Sequence, residues 1–72
     1  MKLFQVWYDN YGDQEVDIFA SAERPSDESV LKQLVSDYGI SDDQEVEVFE
    51  ITHVPLFGSE RTQIKVNLEQ TV

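Results

Sequence analysis

The chain has 72 residues and contains no cysteine, one histidine, two prolines and three glycines. Without cysteine it can form neither a disulfide nor a thiolate metal site, so no covalent bridge stabilises so short a chain. His53 is the only histidine, and a lone histidine near a strand end is typically a surface residue rather than a catalyst. We therefore expect a protein that is not an enzyme and that needs no cofactor.

Basic residues are also scarce, since five Lys and Arg accompany fifteen Asp and Glu for a net charge of −10. The imbalance lies in residues 1–50, where thirteen acidic residues face Lys2, Arg24 and Lys32, whereas residues 51–72 are balanced. Such a field repels nucleic acid and anionic membranes and attracts basic protein surfaces. Solubility alone is the competing explanation for an acidic chain.

Long apolar runs are missing as well, so the sequence predicts neither a membrane span nor a signal peptide, and we expect a cytoplasmic protein. The composition, 40% hydrophobic and 11% aromatic, is sufficient for one small domain over residues 1–72. A chain of this size buries only about 60% of its unfolded surface. A partner or a second copy would add to that burial.

One segment occurs twice. Residues 13–19 read Asp-Gln-Glu-Val-Asp-Ile-Phe and residues 43–49 read Asp-Gln-Glu-Val-Glu-Val-Phe. Both alternate as strands do, which predicts one face made of Val16 and Ile18, or of Val46 and Val48. The other face would then carry two carboxylates and an aromatic ring from each copy: Glu15, Asp17 and Phe19 from the first, Glu45, Glu47 and Phe49 from the second.

The first half of the chain predicts a hairpin and a helix. Residues 2–9 and 14–22 form the hairpin, through turn residues 10–12, with Phe4, Val6 and Tyr8 on one face of the first strand. The helix covers residues 26–38, with Ser26 as its N-cap and an apolar stripe along one side. Gly39 would end it in a Schellman motif, with Ile40 packed on Val35.

The second half predicts two further strands, over residues 45–53 and 61–69. Apolar positions change face near Phe49, which indicates either a bulge or a strand covered on both faces. In the last strand Ile64, Val66 and Leu68 would point inward. The order β-β-α-β-β predicts an α+β fold, a four-stranded and mainly antiparallel sheet with one helix packed on one face. The strand order stays open.

Calcium binding is a minor alternative. Residues 9–13 and the pair Asp42-Asp43 resemble parts of a calcium loop, but the complete spacing and its terminal glutamate are absent. Turn formation explains the asparagine and glycine of residues 10–12, so we predict no metal site.

The sheet face away from the helix is the predicted binding surface. It would present Leu3, Trp7 and Ile51 among the repeated acids and phenylalanines, and large apolar groups on an open face indicate an interface. Carboxylates two residues apart on a strand lie roughly 6.5–7 Å apart, which makes short rows of negative charge. The predicted partner-binding residues are Trp7, Glu15, Asp17, Phe19, Asp42, Asp43, Glu45, Glu47 and Phe49.

Two functions fit this surface. In the first, the chain is an inhibitor that occupies the basic surface of a nucleic-acid-binding protein, as a DNA mimic does, without binding nucleic acid itself. Phage-encoded anti-CRISPR and anti-restriction proteins have this general size and charge, although no motif here matches them. In the second, the chain is an accessory or assembly module, with the apolar sheet face forming a homodimer.

Overall fold

A computed structural model describes residues 1–68 of the chain. Its elements follow the order β1 (Lys2–Asn10), β2 (Asp13–Ser21), α1 (Asp27–Tyr38), β3 (Glu47–Ile51), β4 (His53–Pro55) and β5 (Gln63–Lys65). The strands form two antiparallel sheets, one with the order β2-β1-β3 and one made of β4 and β5. The α+β class is thus confirmed, and the sheet arrangement differs from the expected one.

The β1–β2 hairpin forms where the sequence predicts it. Asn10 pairs with Asp13, so Tyr11 and Gly12 are the two turn residues. Both have positive φ, 51° and 100°, which a type I′ turn requires and which matches the right-handed twist of the strands. The backbone N–H of Gly12 also donates to the Asp9 carboxylate at 3.2 Å.

The helix is confirmed together with both of its caps. The Ser26 hydroxyl accepts from the backbone N–H of Ser29 at 3.1 Å, as an N-cap does. At the other end Gly39 has a φ of +67°, and its N–H donates to the Val35 carbonyl at 2.9 Å. That single bond belongs to the αL motif rather than the predicted Schellman pattern. Ile40 is buried, as expected.

The hydrophobic core lies between α1 and one face of the three-stranded sheet. Strand β1 is its centre, because Phe4 and Val6 are almost completely buried there. Val30 and Leu34 from the helix and Val48 from β3 pack against them. The complete set of buried residues is Phe4, Val6, Tyr8, Val30, Leu34, Ile40, Val46 and Val48.

The predicted four-stranded sheet is wrong. The expected strand over residues 45–53 is interrupted at Thr52, and its continuation, β4, pairs with β5 instead of extending the first sheet. Strand β1 already has a neighbouring strand on each side. Strand β5 pairs with β4 because the connection between them is short and closing it costs little entropy. In the expected strand over residues 61–69 only Gln63–Lys65 is extended, and residue 69 lies outside the described residues.

We call residues 52–66 the arm. Its backbone bonds are local: Leu56 N–H donates to the Thr62 carbonyl at 2.9 Å and Val66 N–H to the Thr52 carbonyl at 2.8 Å. At the tip, Ser59 N–H donates to the Leu56 carbonyl across Gly58, whose φ is +86°. The predicted inward positions of the last strand are not buried, since Ile64 and Leu68 are 47% and 37% exposed and Val66 is half-buried.

Candidate functional site

The register of the three-stranded sheet determines which side chains share a face. Residues directly opposite each other on neighbouring strands point to the same side. Trp7 lies opposite Val16 on β2 and Glu47 on β3, and Gln5 lies opposite Ile18 and Phe49. We call this side, away from α1, the open face. Its members are Leu3, Gln5, Trp7, Val16, Ile18, Ala20, Glu47, Phe49 and Ile51.

The first copy of the repeat does not lie where the sequence analysis placed it. Glu15, Asp17 and Phe19 are paired with the buried residues of β1 and therefore point to the helix side of the sheet. Phe19 stacks on Phe4 with ring centroids 5.5 Å apart and packs against the core. The predicted outward position of these three residues is wrong, and Val16 and Ile18 occupy the open face in their place.

The physical reason lies in the hairpin turn. With two turn residues, Asn10 must pair with Asp13, so Tyr8, Val6 and Phe4 pair with residues 15, 17 and 19. Once the even-numbered residues of β1 face the helix, the odd-numbered residues of β2 must face it too. The turn residues were visible in the sequence, and counting outward from them would have predicted this arrangement.

The second copy faces as predicted, but β3 begins at Glu47 and not at residue 45, so Glu45 and Val46 lie in the loop before the strand. Val46 and Val48 are buried against the helix side, while Glu45, Glu47 and Phe49 are exposed on the opposite side. The two copies of the repeat therefore face opposite ways. Only the second combines with Trp7 on the open face. The apolar residues on the two sides of this strand have different surroundings. Val48 contacts the core, and Phe49 and Ile51 face away from it.

Hydrogen bonds connect the loop before β3 to the end of β1 that is next to the hairpin turn. The side chain of Gln44 accepts from the Asp9 backbone N–H at 2.7 Å and donates to the Asp9 carbonyl at 2.8 Å, and it also donates to the Ser41 carbonyl at 3.0 Å. The Tyr11 hydroxyl donates to the Gly39 carbonyl at 3.0 Å. These bonds bring the acidic loop that contains Asp42 and Asp43 to the end of the sheet that carries Asp9.

A shallow concavity results on the open face. Trp7 and Phe49 supply its apolar wall and are 38% and 46% exposed. Glu45, Glu47 and Asp9 supply carboxylates, and the remaining lining residues are Gln5, Tyr8, Gly12, Gln14 and Gln44. Four of the nine predicted binding residues thus meet here. Gln44 is an addition that alternation alone did not reveal, since its importance depends on its bonds to Asp9.

The carboxylates of this concavity have no basic partner. Within residues 1–68 the ion pairs are Arg24 with Asp27 at 3.0 Å and Lys32 with Glu28 at 3.7 Å. Both lie at the helix, and the second is an exposed pair of the kind that contributes little. Among the described residues, the carboxylates of the open face therefore form no ion pair with a Lys or Arg side chain.

Asp17 acts on two tyrosines on the helix side of the sheet. Burial, followed by the charges of Asp17 and Glu15, raises the pKa of Tyr8 above its usual value. Hydrogen bonding to the Asp17 carboxylate, followed by the charge of that group, raises the pKa of Tyr38. The two rings stack with centroids 6.1 Å apart. Asp17 therefore lies near these two tyrosines on the helix side of the sheet and not on the open face.

The described part of the chain offers few groups for catalysis or metal binding. His53 is exposed and its Nδ1 lies 3.1 Å from the Thr52 hydroxyl. Among residues 1–68, no three His, Asp or Glu side chains are grouped closely enough to hold a metal ion. No helix in this range is long and apolar enough to cross a membrane.

Comparison with known proteins found no matching family model, no matching curated protein and no matching solved structure.

Proposed function

We propose that this chain is a non-enzymatic inhibitor whose open face occupies the basic, nucleic-acid-binding surface of a partner protein. The observation that carries the proposal is the concavity in which Trp7 and Phe49 lie beside Glu45, Glu47 and Asp9. The aromatic rings supply apolar anchors of the kind that dominate binding energy. The unpaired carboxylates select a basic partner and accelerate its approach.

Fewer acidic residues face the proposed partner than the sequence predicts. Only the row that contains Glu45 and Glu47 faces the partner, with Asp9, Asp42 and Asp43 extending the charge toward the hairpin end. A partner groove lined with Lys and Arg would release its bound anions when it binds these carboxylates. Binding should therefore weaken as the salt concentration rises.

The test begins with the native host, from which partners are captured at low salt and identified by mass. Each captured partner is loaded with a labelled duplex, and the chain is added as a competitor. We expect the chain to displace the duplex, and Glu45→Lys combined with Glu47→Lys to weaken displacement by about a hundredfold or more. A control with the same change in net charge, Glu23→Lys with Glu60→Lys, should retain most of the activity because both positions lie outside the concavity.

The result that contradicts the proposal is equally specific. If the two double variants lose activity to the same degree, net charge rather than the open face is responsible. If the chain binds partners but never displaces nucleic acid, the inhibitory role is wrong.

The second candidate function is an assembly module that dimerises through the open face. It is favoured by the exposed apolar side chains there, including Val16 and Ile18 at 40% and 63% exposure. Equilibrium sedimentation distinguishes the two functions. A dimer that is insensitive to salt and is lost in Trp7→Ala or Phe49→Ala supports the assembly role, whereas a monomer at high concentration excludes it.

A further inference from the structure

A second groove runs along the opposite side of the sheet, between β2 and α1. Its strand wall includes Asp17 and Phe19, and its helix wall includes Val30, Gln33 and Asp37, with Pro25 near the helix start. This groove shares no lining residue with the concavity, although Ile18 and Ala20 at its strand edge also belong to the open face. It includes Asp17 and Phe19 of the first repeat copy, which the proposed function leaves unused.

Among residues 1–68, β2 pairs with β1 alone, since the strand order is β2-β1-β3. The strand wall of this groove is therefore a sheet edge with no neighbouring strand in that part of the chain. A two-residue turn closes on a hydrogen-bonded pair, here Asn10 with Asp13, so the backbone groups of Glu15 and Asp17 point toward β1. Those of Val16 and Ile18 consequently point outward. An unpaired edge of nine residues is a template for another strand.

The negative charge of the groove favours an added strand that carries basic side chains. Asp17 is half-buried and Asp37 accepts a hydrogen bond from the Gln33 amide at 2.9 Å, and neither pairs with a Lys or Arg of residues 1–68. Strand β2 of a second copy fits poorly here, because Asp13, Glu15 and Asp17 would face like charges across the new pair. A segment in which Lys or Arg alternates with apolar residues places its basic side chains on the helix side, beside Asp17 and Phe19, and its apolar side chains on the other side, beside Val16 and Ile18.

We propose that this groove binds an extended, basic segment of another protein, which adds to the edge of β2 as a fourth strand. The basic side chains reach Asp17 and Asp37, and the backbone pairs with the outward N–H and C=O groups of Val16 and Ile18. Backbone pairing provides the affinity and the side chains provide the selectivity, as in other complexes formed by strand addition. This binding does not involve the concavity lined by Trp7, Phe49, Glu45 and Glu47.

The test uses a fluorescein-labelled peptide of roughly ten residues, a common strand length, that alternates valine and lysine. Its anisotropy is measured with the wild-type chain, and two matched peptides serve as controls. One has alternate amides N-methylated, which removes edge pairing and leaves the charge unchanged. The other has glutamate in place of lysine. We expect binding of the first peptide only, with slowed amide hydrogen exchange at Val16 and Ile18.

Variants of the chain locate the site. Asp17→Asn should weaken binding about fivefold or more, whereas Glu60→Gln, which removes the same charge from the arm, should not. Because Asp17 also contacts two tyrosines, the thermal melt of Asp17→Asn is recorded, and the N-methylated peptide tests the proposal on the unaltered chain. Equal binding of the N-methylated and parent peptides would overturn it, since attraction would then come from charge alone. So would a wild-type dimer that Lys65→Glu dissociates, because the basic arm of a second copy would then be the occupant.

Discussion

At the scale of single residues, Asp17 contributes to the raised pKa of two neighbouring tyrosines. Its carboxylate is the largest cause of the raised pKa of Tyr38 and the second cause, after burial, for Tyr8. Both tyrosines therefore hold their protons more tightly in the folded chain than in the unfolded chain, where the pKa is 10.0. Neutral tyrosine is the form that the fold favours.

The sign of this linkage predicts a loss of stability at high pH. Below about pH 9 both states keep the tyrosine protons, so the contribution is constant. Above about pH 10 the unfolded chain loses protons first, and the free energy of unfolding falls as the pH rises through the folded pKa values. Urea denaturation followed by circular dichroism measures the fall. Asp17→Asn should make it shallower, and an equally steep fall in that variant would contradict the role given to Asp17.

At the scale of elements, the helix terminus at Gly39 joins two parts of the structure. The positive φ of Gly39 ends α1, its carbonyl accepts from the Tyr11 hydroxyl, and the chain then turns so that Ile40 enters the core. A Cβ built on Gly39 meets no atom within 4 Å. A side chain at this position would therefore cost only conformational energy.

We expect Gly39→Ala to lower the free energy of unfolding by about 1–2 kcal/mol, the cost of placing a Cβ in the left-handed region. Gly39→Asn should cost less, because asparagine tolerates that region better than alanine does. Ser36→Ala, on the exposed surface of the same helix, is the control and should change little. Urea denaturation gives all three values. If Gly39→Asn lowers the free energy of unfolding as much as Gly39→Ala does, the loss comes from crowding of the new side chain and not from the backbone conformation.

The arm shows how an element can form without contributing to the main core. Its strands pair with each other, and the Phe57 side chain at its tip is fully exposed. Arg61 and Lys65 are both in the arm, whose only acidic residue is Glu60. The charge asymmetry noted in the sequence therefore corresponds to two structural parts, an acidic helix–sheet layer and a slightly basic arm.

At the scale of the whole molecule, the net charge of −10 is contained within extents of 39 × 32 × 16 Å. At about 10 mM salt the Debye length is about 30 Å, so charges across the molecule repel one another, whereas at 0.15 M it is about 8 Å. This self-repulsion destabilises the compact state. Salt should relieve it.

We therefore expect the melting temperature to rise by a few degrees between about 10 mM and 0.15 M sodium chloride, equivalent to roughly 1 kcal/mol for a domain of this size. A variant in which Asp42, Asp43, Glu45 and Glu47 become the corresponding amides should show a weaker rise. Differential scanning calorimetry measures both chains. A melting temperature that does not change with salt would show that the acidic residues are too well solvated to repel one another.

Features that depend on residues close together in the chain could be predicted from the sequence. The helix and its caps at Ser26 and Gly39, the β1–β2 hairpin and the buried faces of β1 and of the second repeat all follow from periodicity, turn chemistry and capping. The same local signals located Glu47 and Phe49 correctly on the open face beside Trp7, whereas Glu45 lies in the loop before β3.

The facing of β2 and the division of the strands into two sheets depend on how the strands pair with one another. Whether Val16 and Ile18 or Asp17 and Phe19 face the core depends on the register with β1, because β2 has apolar positions on both of its faces and its own alternation does not choose between them. The two-residue turn at Tyr11 and Gly12 sets that register. Whether the last strand joins the main sheet depends on competition between partners. Strand β5 pairs with its neighbour β4 because closing the short loop costs less entropy than crossing to a distant edge.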